Sequence, residues 1–137
     1  SKKYQLPANT ILIEVTENTL MDPDSSIQQQ LKRLSTINID IAIDDFGVGY
    51  SSLAYLQRLD IDILKIDRSF ISIALVKAII TMAHNLDVIV VAEGVETQKQ
   101  YNLLKHLACD YIQGYFFSKA ISKKEFMGKY IEQKEVI

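Results

Sequence analysis

The hydrophobic positions of this chain fall into two alternating kinds of segment. Five short runs rich in β-branched residues predict strands, and they read TILIEVTE, INIDIAIDD, DIDILKID, DVIVVAEG and CDYIQGYFF. Between them, apolar residues recur every three or four positions, which is typical of helices that bury one face. Strand alternating with helix predicts an α/β fold with a parallel sheet, built from five strands and five helices.

Four of the helical patterns can be placed on the sequence. Apolar stripes cover residues 27–34 and 76–86, and a third runs from Tyr101 to Ala108. Two predicted helices begin with a capping box, in which Ser or Thr is followed three residues later by Glu or Gln. These boxes are Thr97 with Gln100, and Ser122 with Glu125.

Each predicted strand ends in polar side chains, which packing alone explains poorly. They are Glu14 and Glu17, Asp44 and Asp45, Lys65 and Asp67, Glu93, and Gln113. In parallel α/β proteins the carboxyl ends of the strands form the functional face. Ionised groups gathered there would repel each other and lose water unless a partner compensates them. A divalent cation is the simplest such partner, because hard cations take oxygen ligands.

Two neighbouring aspartates, Asp44 and Asp45, are followed directly by a glycine-rich stretch, FGVGYSS. A turn after a strand explains one aspartate well and two poorly. Neighbouring carboxylates can instead hold two metal ions about 3.5 to 4 Å apart, an arrangement that suits phosphodiester hydrolysis. Gly47 and Gly49 fit equally well a plain connection and a loop that moves or approaches a ligand closely.

Lys65 lies between Leu64 and Ile66 in a run that should be buried, so we do not expect it on a free surface. A lysine beside carboxylates and a metal can hold a nucleophilic water or neutralise a phosphate. Glu93 ends its strand and is the better ligand or base, whereas Glu96 alone suits the first turn of a helix. The histidines, His84 and His106, fall in helical patterns and are interpreted as solvent or edge residues.

Composition limits the classes of protein that remain. The chain has 137 residues, 48% of them hydrophobic and 23% charged, which suits one globular domain. A net charge of −2 gives no reason to expect attraction to nucleic acid or to an anionic membrane. No apolar run approaches the roughly 18 residues that span a bilayer. Ser1 replaces an initiator methionine, so we expect a fragment, and the single cysteine, Cys109, suits the cytoplasm.

Five motifs in this order resemble the EAL domain, the bacterial cyclic di-GMP phosphodiesterase. They are IEVTEN, IDDFGVGYSSLAYL, LKIDRSF, VVAEGVET and DYIQGYFFSKA, and they extend from about Thr10 to Phe126. The resemblance implies a modified TIM (β/α)8 barrel that hydrolyses cyclic di-GMP to linear pGpG with Mg²⁺ or Mn²⁺. Residues 1–137 would supply its C-terminal five β/α units.

The resemblance also implies roles for the polar strand ends. The implied metal ligands are Glu14, Asp44, Asp45 and Glu93, with Asp67 facing the shell of the second metal. Lys65 would position and activate the attacking water, with Glu93 as an additional base and Gln113 supporting the water and substrate network.

Five further positions would support this centre. Glu17 would hold the loop that starts at Phe46 and contains Gly47 and Gly49. Glu96 would back up the cluster at the strand ends. In the family, this loop links metal occupancy to dimerisation and activity.

Parts of the family pattern are absent from the chain. The Glu-Ala-Leu triplet and the metal-binding asparagine of the next strand are missing, and both belong to the N-terminal part of the domain. Since a (β/α)8 barrel takes about 250 residues, we expect residues 1–137 to be a partial domain with two open sheet edges. Ala120 stands where the family usually has proline, which affects the connection into the last helix.

The implied partners are cyclic di-GMP, a second copy forming a homodimer through the domain, and GGDEF or sensory domains elsewhere in the protein. The implied location is the cytoplasm, without DNA binding and without membrane contact by this segment. Two alternatives to an enzyme remain, a receptor that binds cyclic di-GMP without cleaving it and a module that only dimerises. Every ligand position within the chain is intact, which favours the enzyme.

The connection from Phe70 to Val76 is unusually short and apolar, reading ISIAL between them. It has neither cap nor turn residues, although a parallel crossover needs room to return across the sheet. Either the connection is genuinely short, or residues of the natural loop are absent from this sequence. We favour the second interpretation.

Overall fold

The five β-branched runs form five parallel strands in the part of the chain that the computed structural model describes, residues 7, 10–20, 25–47, 60–67 and 73–131. The strands are β1 (Leu12–Thr16), β2 (Asp40–Asp44), β3 (Ile63–Ile66), β4 (Ile89–Ala92) and β5 (Tyr111–Ile112). Each strand pairs with the next along the chain, so the spatial order is β1-β2-β3-β4-β5. Because parallel crossovers are right-handed, this order places the connecting helices on one face, as in a barrel.

The helices within the described ranges follow the predicted stripes, with one addition. They are α1 (Glu17–Leu20), α2 (Ser25–Ser35), α3 (Ile73–Asn85), α4 (Gln98–His106) and α5 (Lys123–Phe126), which continues as a π-helical turn (Met127–Ile131). Both predicted capping boxes are present, at Thr97 and at Ser122. The additional helix is α1, and Glu17, which we assigned to a strand end, is its first residue.

Three helices end in the same way and lead directly into a strand. In each, a carbonyl of the last helical turn accepts a hydrogen bond from the N–H of the residue five positions later in the chain. At the end of α4, for example, the Cys109 N–H donates to the Leu104 carbonyl at 3.0 Å. After each helix, one residue has the left-handed backbone conformation. These residues are Asn38 after α2, Asp87 after α3 and Ala108 after α4, with φ of 56°, 57° and 58°. The prediction that Ala108 belongs to the helical stripe is therefore wrong, because the helix ends before it and Ala108 makes the turn.

The core lies on the central strands, where Ile41, Ile43, Leu64 and Val90 are the largest fully buried side chains. Burying one such side chain contributes about 1.5 to 3 kcal/mol. Among the described strands, β1 and β5 pair on one side only, and Leu12 and Tyr111 are 40% and 61% exposed. These are the two open edges that a partial barrel predicts.

Asp110 ties β4 to the helix before it, at the amino end of the sheet. Its Oδ2 accepts a hydrogen bond from the buried Val90 N–H at 2.8 Å and lies 2.9 Å from His84 Nε2. In the same way, Asp62 Oδ2 accepts a hydrogen bond from the Ile41 N–H of β2 at 2.8 Å. His84, which we interpreted as an edge residue, is thus exposed but bound to a carboxylate.

Asp110→Ala is expected to lower the free energy of unfolding by about 1 to 3 kcal/mol, because it leaves the Val90 N–H without an acceptor. Asp110→Asn keeps an acceptor oxygen and should recover most of this loss in urea denaturation at pH 7. Equal losses of unfolding free energy in the two variants would contradict the role of Asp110 as the acceptor for the Val90 N–H.

The same pair of variants tests the pH dependence. Burial alone would raise the pKa of Asp110, but hydrogen bonds from the Val90 N–H and from His84 lower it overall. A carboxylate with a lowered pKa stabilises the fold above its unfolded pKa, and the contribution disappears as the pH falls through the folded pKa. Acidification below about pH 4 should therefore cost the wild type more stability than Asp110→Asn.

Two features predicted from the sequence lie outside the described residues. They are Gly49 and the greater part of the short connection after Phe70. What is described of that connection is its far end, where α3 begins at Ile73 rather than at Val76. No helix within the described ranges is long and apolar enough to cross a membrane.

Candidate active site

Four charged side chains meet at the carboxyl ends of β1 to β4. Lys65 Nζ lies 2.8 Å from Glu14 Oε1, 3.0 Å from Glu93 Oε1 and 3.4 Å from Asp44 Oδ1. The three carboxylates come from β1, from β2 and from the residue after β4, so no two of them share a strand. One ammonium group therefore joins three separate chain segments.

Sheet register explains why these side chains converge. The paired positions are Glu14 with Ala42, Ala42 with Ile63, and Lys65 with Val91. Asp44 and Lys65 lie two residues beyond the Ala42–Ile63 pair, and Glu93 lies two beyond Val91. Since strand side chains alternate between faces, steps of two keep all four charged groups on one face.

Lys65 is buried, with 8% of its surface exposed, yet it remains charged. Burial alone would lower the pKa of Lys65, but Glu14, Glu93 and Asp44 together raise it well above its ordinary value. The ammonium group thus stays protonated throughout the neutral range. It can donate hydrogen bonds and neutralise negative charge, but it cannot accept a proton.

The carboxylates remain open to solvent to different degrees, with side-chain exposures of 47% for Glu14, 27% for Asp44 and 22% for Glu93. Three carboxylates and one ammonium leave a net charge of about −2 in this cluster. Carboxylate oxygens are the ligands that hard divalent cations prefer, so these side chains are of the right chemical type for such a cation. Within the described residues, no three acidic, His or Cys side chains are grouped to hold a metal by themselves. The carboxylates instead face the ammonium of Lys65.

The chain after β2 is held at two points. Asp45 is exposed and has the left-handed conformation, with φ of 55°. Beyond it, the Phe46 N–H donates to the Lys65 carbonyl at 3.2 Å, and the Gly47 N–H donates to Glu17 Oε2 at 2.8 Å. Glu17 is 3% exposed, so its carboxylate is a buried anchor for the start of this loop.

The remaining predicted site residues flank the cluster. Asp67 and Glu93 both line a cavity of about 90 Å³ between β3, β4 and the helices behind them, which is too small for a nucleotide. Gln113 is exposed just after β5 and lines the groove along that open edge. Glu96 is exposed beside α4, and its N–H donates to Gln100 Oε1 at 3.0 Å.

Sequence reasoning missed one position next to this site, Gly114. It directly follows Gln113, and its backbone lies against that of Val95 in the loop after β4. The signal that could have identified it is an isolated glycine at the end of a strand pattern, which often marks close backbone approach.

Curated relatives share most of this chain. The cyclic di-GMP phosphodiesterase NbdA of Pseudomonas aeruginosa is 43% identical over 91% of the chain, which spans 17% of NbdA. The bifunctional diguanylate cyclase/cyclic di-GMP phosphodiesterase MucR of the same species is 40% identical over 91%, spanning 19% of MucR. The chain thus covers about a sixth to a fifth of the length of these relatives.

Solved structures have the same fold. The PaMucR phosphodiesterase in complex with c-di-GMP superposes with a TM-score of 0.83 at 37% identity, covering 91% of this chain and 54% of that one. A manganese/cy-diGMP complex of Klebsiella pneumoniae BlrP1 has a TM-score of 0.76 at 34% identity, covering 83% and 31%. The EAL domain family model matches residues 1–120. With this match and these relatives, the chain belongs to the EAL domain family.

Proposed function

We propose that residues 1–137 supply the C-terminal five β/α units of a complete EAL domain that hydrolyses cyclic di-GMP to linear pGpG. The observation that carries the proposal is the buried Lys65 ammonium, held 2.8 to 3.4 Å from three carboxylates on neighbouring strand ends. Relatives named as cyclic di-GMP phosphodiesterases, and a neighbour solved with c-di-GMP, support this choice of substrate.

The proposed cofactor is a divalent cation, Mg²⁺ or Mn²⁺, and the manganese in the BlrP1 complex supports a metal of this kind. Glu14, Asp44 and Glu93 would contribute ligands to it, together with the Glu-Ala-Leu glutamate of the complete domain, with Asp45 and Asp67 serving a second ion. When bound, such ions polarise the phosphate and lower the pKa of a bound water.

The chain's own residues would handle the proton and the charge. Lys65, which stays protonated, donates a hydrogen bond to the attacking water or to a phosphate oxygen. Glu93 accepts the water proton as oxygen attacks phosphorus, and the bond from phosphorus to the 3′ oxygen breaks. The leaving oxygen takes up a proton, which leaves a 5′-phosphorylated linear dinucleotide. Gln113 orients the water, Glu17 anchors the loop at Gly47, and Glu96 supports the strand-end cluster.

The proposal extends to the protein around this domain. We place the reaction in the cytoplasm and expect a homodimer formed through the EAL domain. A GGDEF or sensory domain in the same chain is supported by the bifunctional name of MucR. The second candidate is a receptor that only binds cyclic di-GMP. Binding of cyclic di-GMP without its hydrolysis would identify a receptor.

A complete domain carrying these residues should convert cyclic di-GMP to pGpG in the presence of Mg²⁺ or Mn²⁺, as followed by liquid chromatography. Excess chelator should abolish the reaction. His84→Gln and His106→Gln should leave the rate nearly unchanged, because neither histidine is among the side chains of the cluster. Binding of cyclic di-GMP without any pGpG would favour the receptor instead.

Residues 1–137 alone should hydrolyse cyclic di-GMP poorly or not at all under the same conditions. They lack the Glu-Ala-Leu glutamate and the following asparagine, and preorganised charge dominates this chemistry. Turnover close to that of the complete domain would show that the missing glutamate is not needed.

A further inference from the structure

The loops after β4 and β5 are joined by a pair of backbone hydrogen bonds around Val95. The Val95 N–H donates to the Gln113 carbonyl at 3.1 Å, and the Phe116 N–H donates to the Val95 carbonyl at 2.9 Å. We call residues 93–96 and 113–116, joined in this way, the β4–β5 clasp. Because Val95 is only 3% exposed, water does not compete readily for these bonds.

The clasp can close in this way because residue 114 is glycine. A Cβ built on Gly114 would lie 2.8 Å from the carbonyl carbon of Val95, and closer still to its nitrogen and oxygen. All three atoms belong to the backbone, so no flexible side chain can move aside. A side chain at position 114 would therefore push the Val95 backbone away.

The clasp is continuous with two of the proposed catalytic residues. Glu93 lies two residues before Val95, and its N–H donates to the Ile66 carbonyl at 2.9 Å, which ties it to β3. Gln113 is tied to β4, since its N–H donates to the Ala92 carbonyl at 2.8 Å. A displacement of Val95 thus reaches Glu93 through the single intervening residue, Gly94.

We propose that Gly114 is a positioning residue, whose missing side chain lets the β4–β5 clasp close and so sets Glu93 against Lys65. The inference rests on the proposed function and adds to it a residue that does not touch the substrate. The closed clasp also fixes the position of Glu93 after β4 relative to Gln113 after β5.

The test uses a complete domain carrying Gly114→Ala, with cyclic di-GMP hydrolysis and NMR measured on the same samples. We expect kcat to fall by about 10- to 100-fold, as small misplacements of catalytic groups do, with KM changed by less than about threefold. We expect the amide resonances of Glu93 and Gln113 to shift, as a structural readout independent of turnover.

Two controls separate positioning from general loss of stability. Gly128→Ala makes the same substitution in the C-terminal π-helical turn and should leave kcat within about twofold, since alanine is well tolerated there. Val88→Ala removes buried volume at the opposite end of β4, so it should lower the melting temperature while kcat stays within about twofold. Equal losses of kcat in Val88→Ala and Gly114→Ala would overturn the proposal.

Hydrogen exchange of the wild-type domain provides a second test, which holds even if Gly114→Ala fails to fold. The Val95 and Phe116 amides should exchange with similar protection, because both donate across the clasp and the clasp opens as one unit. A Val95 amide that opens far more readily than that of Phe116 would refute the proposal. An inactive wild type would instead refute the proposed function, while the exchange data and the resonance shifts would still decide the role of Gly114.

Discussion

Replacing Lys65 by alanine in the complete domain is expected to lower kcat for cyclic di-GMP hydrolysis by about 10² to 10³. The substitution removes the positive group at the centre of the cluster and leaves Glu14, Asp44 and Glu93 facing one another. Their mutual repulsion would also move them from their present positions around Lys65. The measurement is steady-state turnover at saturating substrate and divalent cation.

Lys77→Ala is the matched control, because Lys77 is exposed on α3 and lies outside the cluster. It should leave kcat unchanged. Lys65→Arg should not restore activity, since the planar guanidinium cannot reproduce a compact ammonium within reach of three carboxylates. Wild-type turnover in Lys65→Ala would contradict the assignment of this lysine to the site.

Glu93→Gln should lower kcat by a similar factor, about 10² to 10³, although it preserves the size of the side chain. In the wild type, Lys65 Nζ lies 3.0 Å from Glu93 Oε1. The amide of the variant keeps one acceptor oxygen near this ammonium, but it carries no charge and is a much weaker base than a carboxylate. Both proposed roles, metal ligand and proton acceptor, require the carboxylate. The loss should appear in kcat more than in KM, because the interaction strengthens as the water is deprotonated.

Asp87→Asn makes the same change from carboxylate to amide outside the site. Asp87 is exposed in the turn after α3, with φ of 57°, a conformation that asparagine tolerates. Its turnover should equal that of the wild type. If Glu93→Gln also retained full turnover, Glu93 would be neither the base nor an essential ligand.

The cluster around Lys65 forms entirely within residues 14–93, without the rest of a barrel. Its members belong to four adjacent strand ends, and the register of those strands is sufficient to bring them together. The inactivity that we expect of residues 1–137 alone would therefore reflect the family ligands that lie outside them. A misformed lysine cluster is not required to explain it.

The sequence by itself determined the five strands, the helices other than α1, and the family. Strand runs, helical stripes and both capping boxes depend on residues within a few positions of each other, so local patterns report them. The same patterns placed Glu14, Lys65 and Glu93 at strand ends, where parallel sheets carry their functional groups. The family motifs added roles for these residues, which the proposed substitutions test.

Tertiary structure alone decided the contacts between segments that are distant in the chain. That one buried ammonium meets three carboxylates depends on the relative register of four strands, which no single segment encodes. Glu17 was assigned to a strand end, yet it starts a helix. Its bond to Gly47, thirty residues away, was implied by the family resemblance and by no local pattern. The approach of Gly114 to Val95 likewise depends on the pairing of β4 with β5. Such contacts follow from packing across the sheet, whereas sequence periodicity reports only which face each residue occupies.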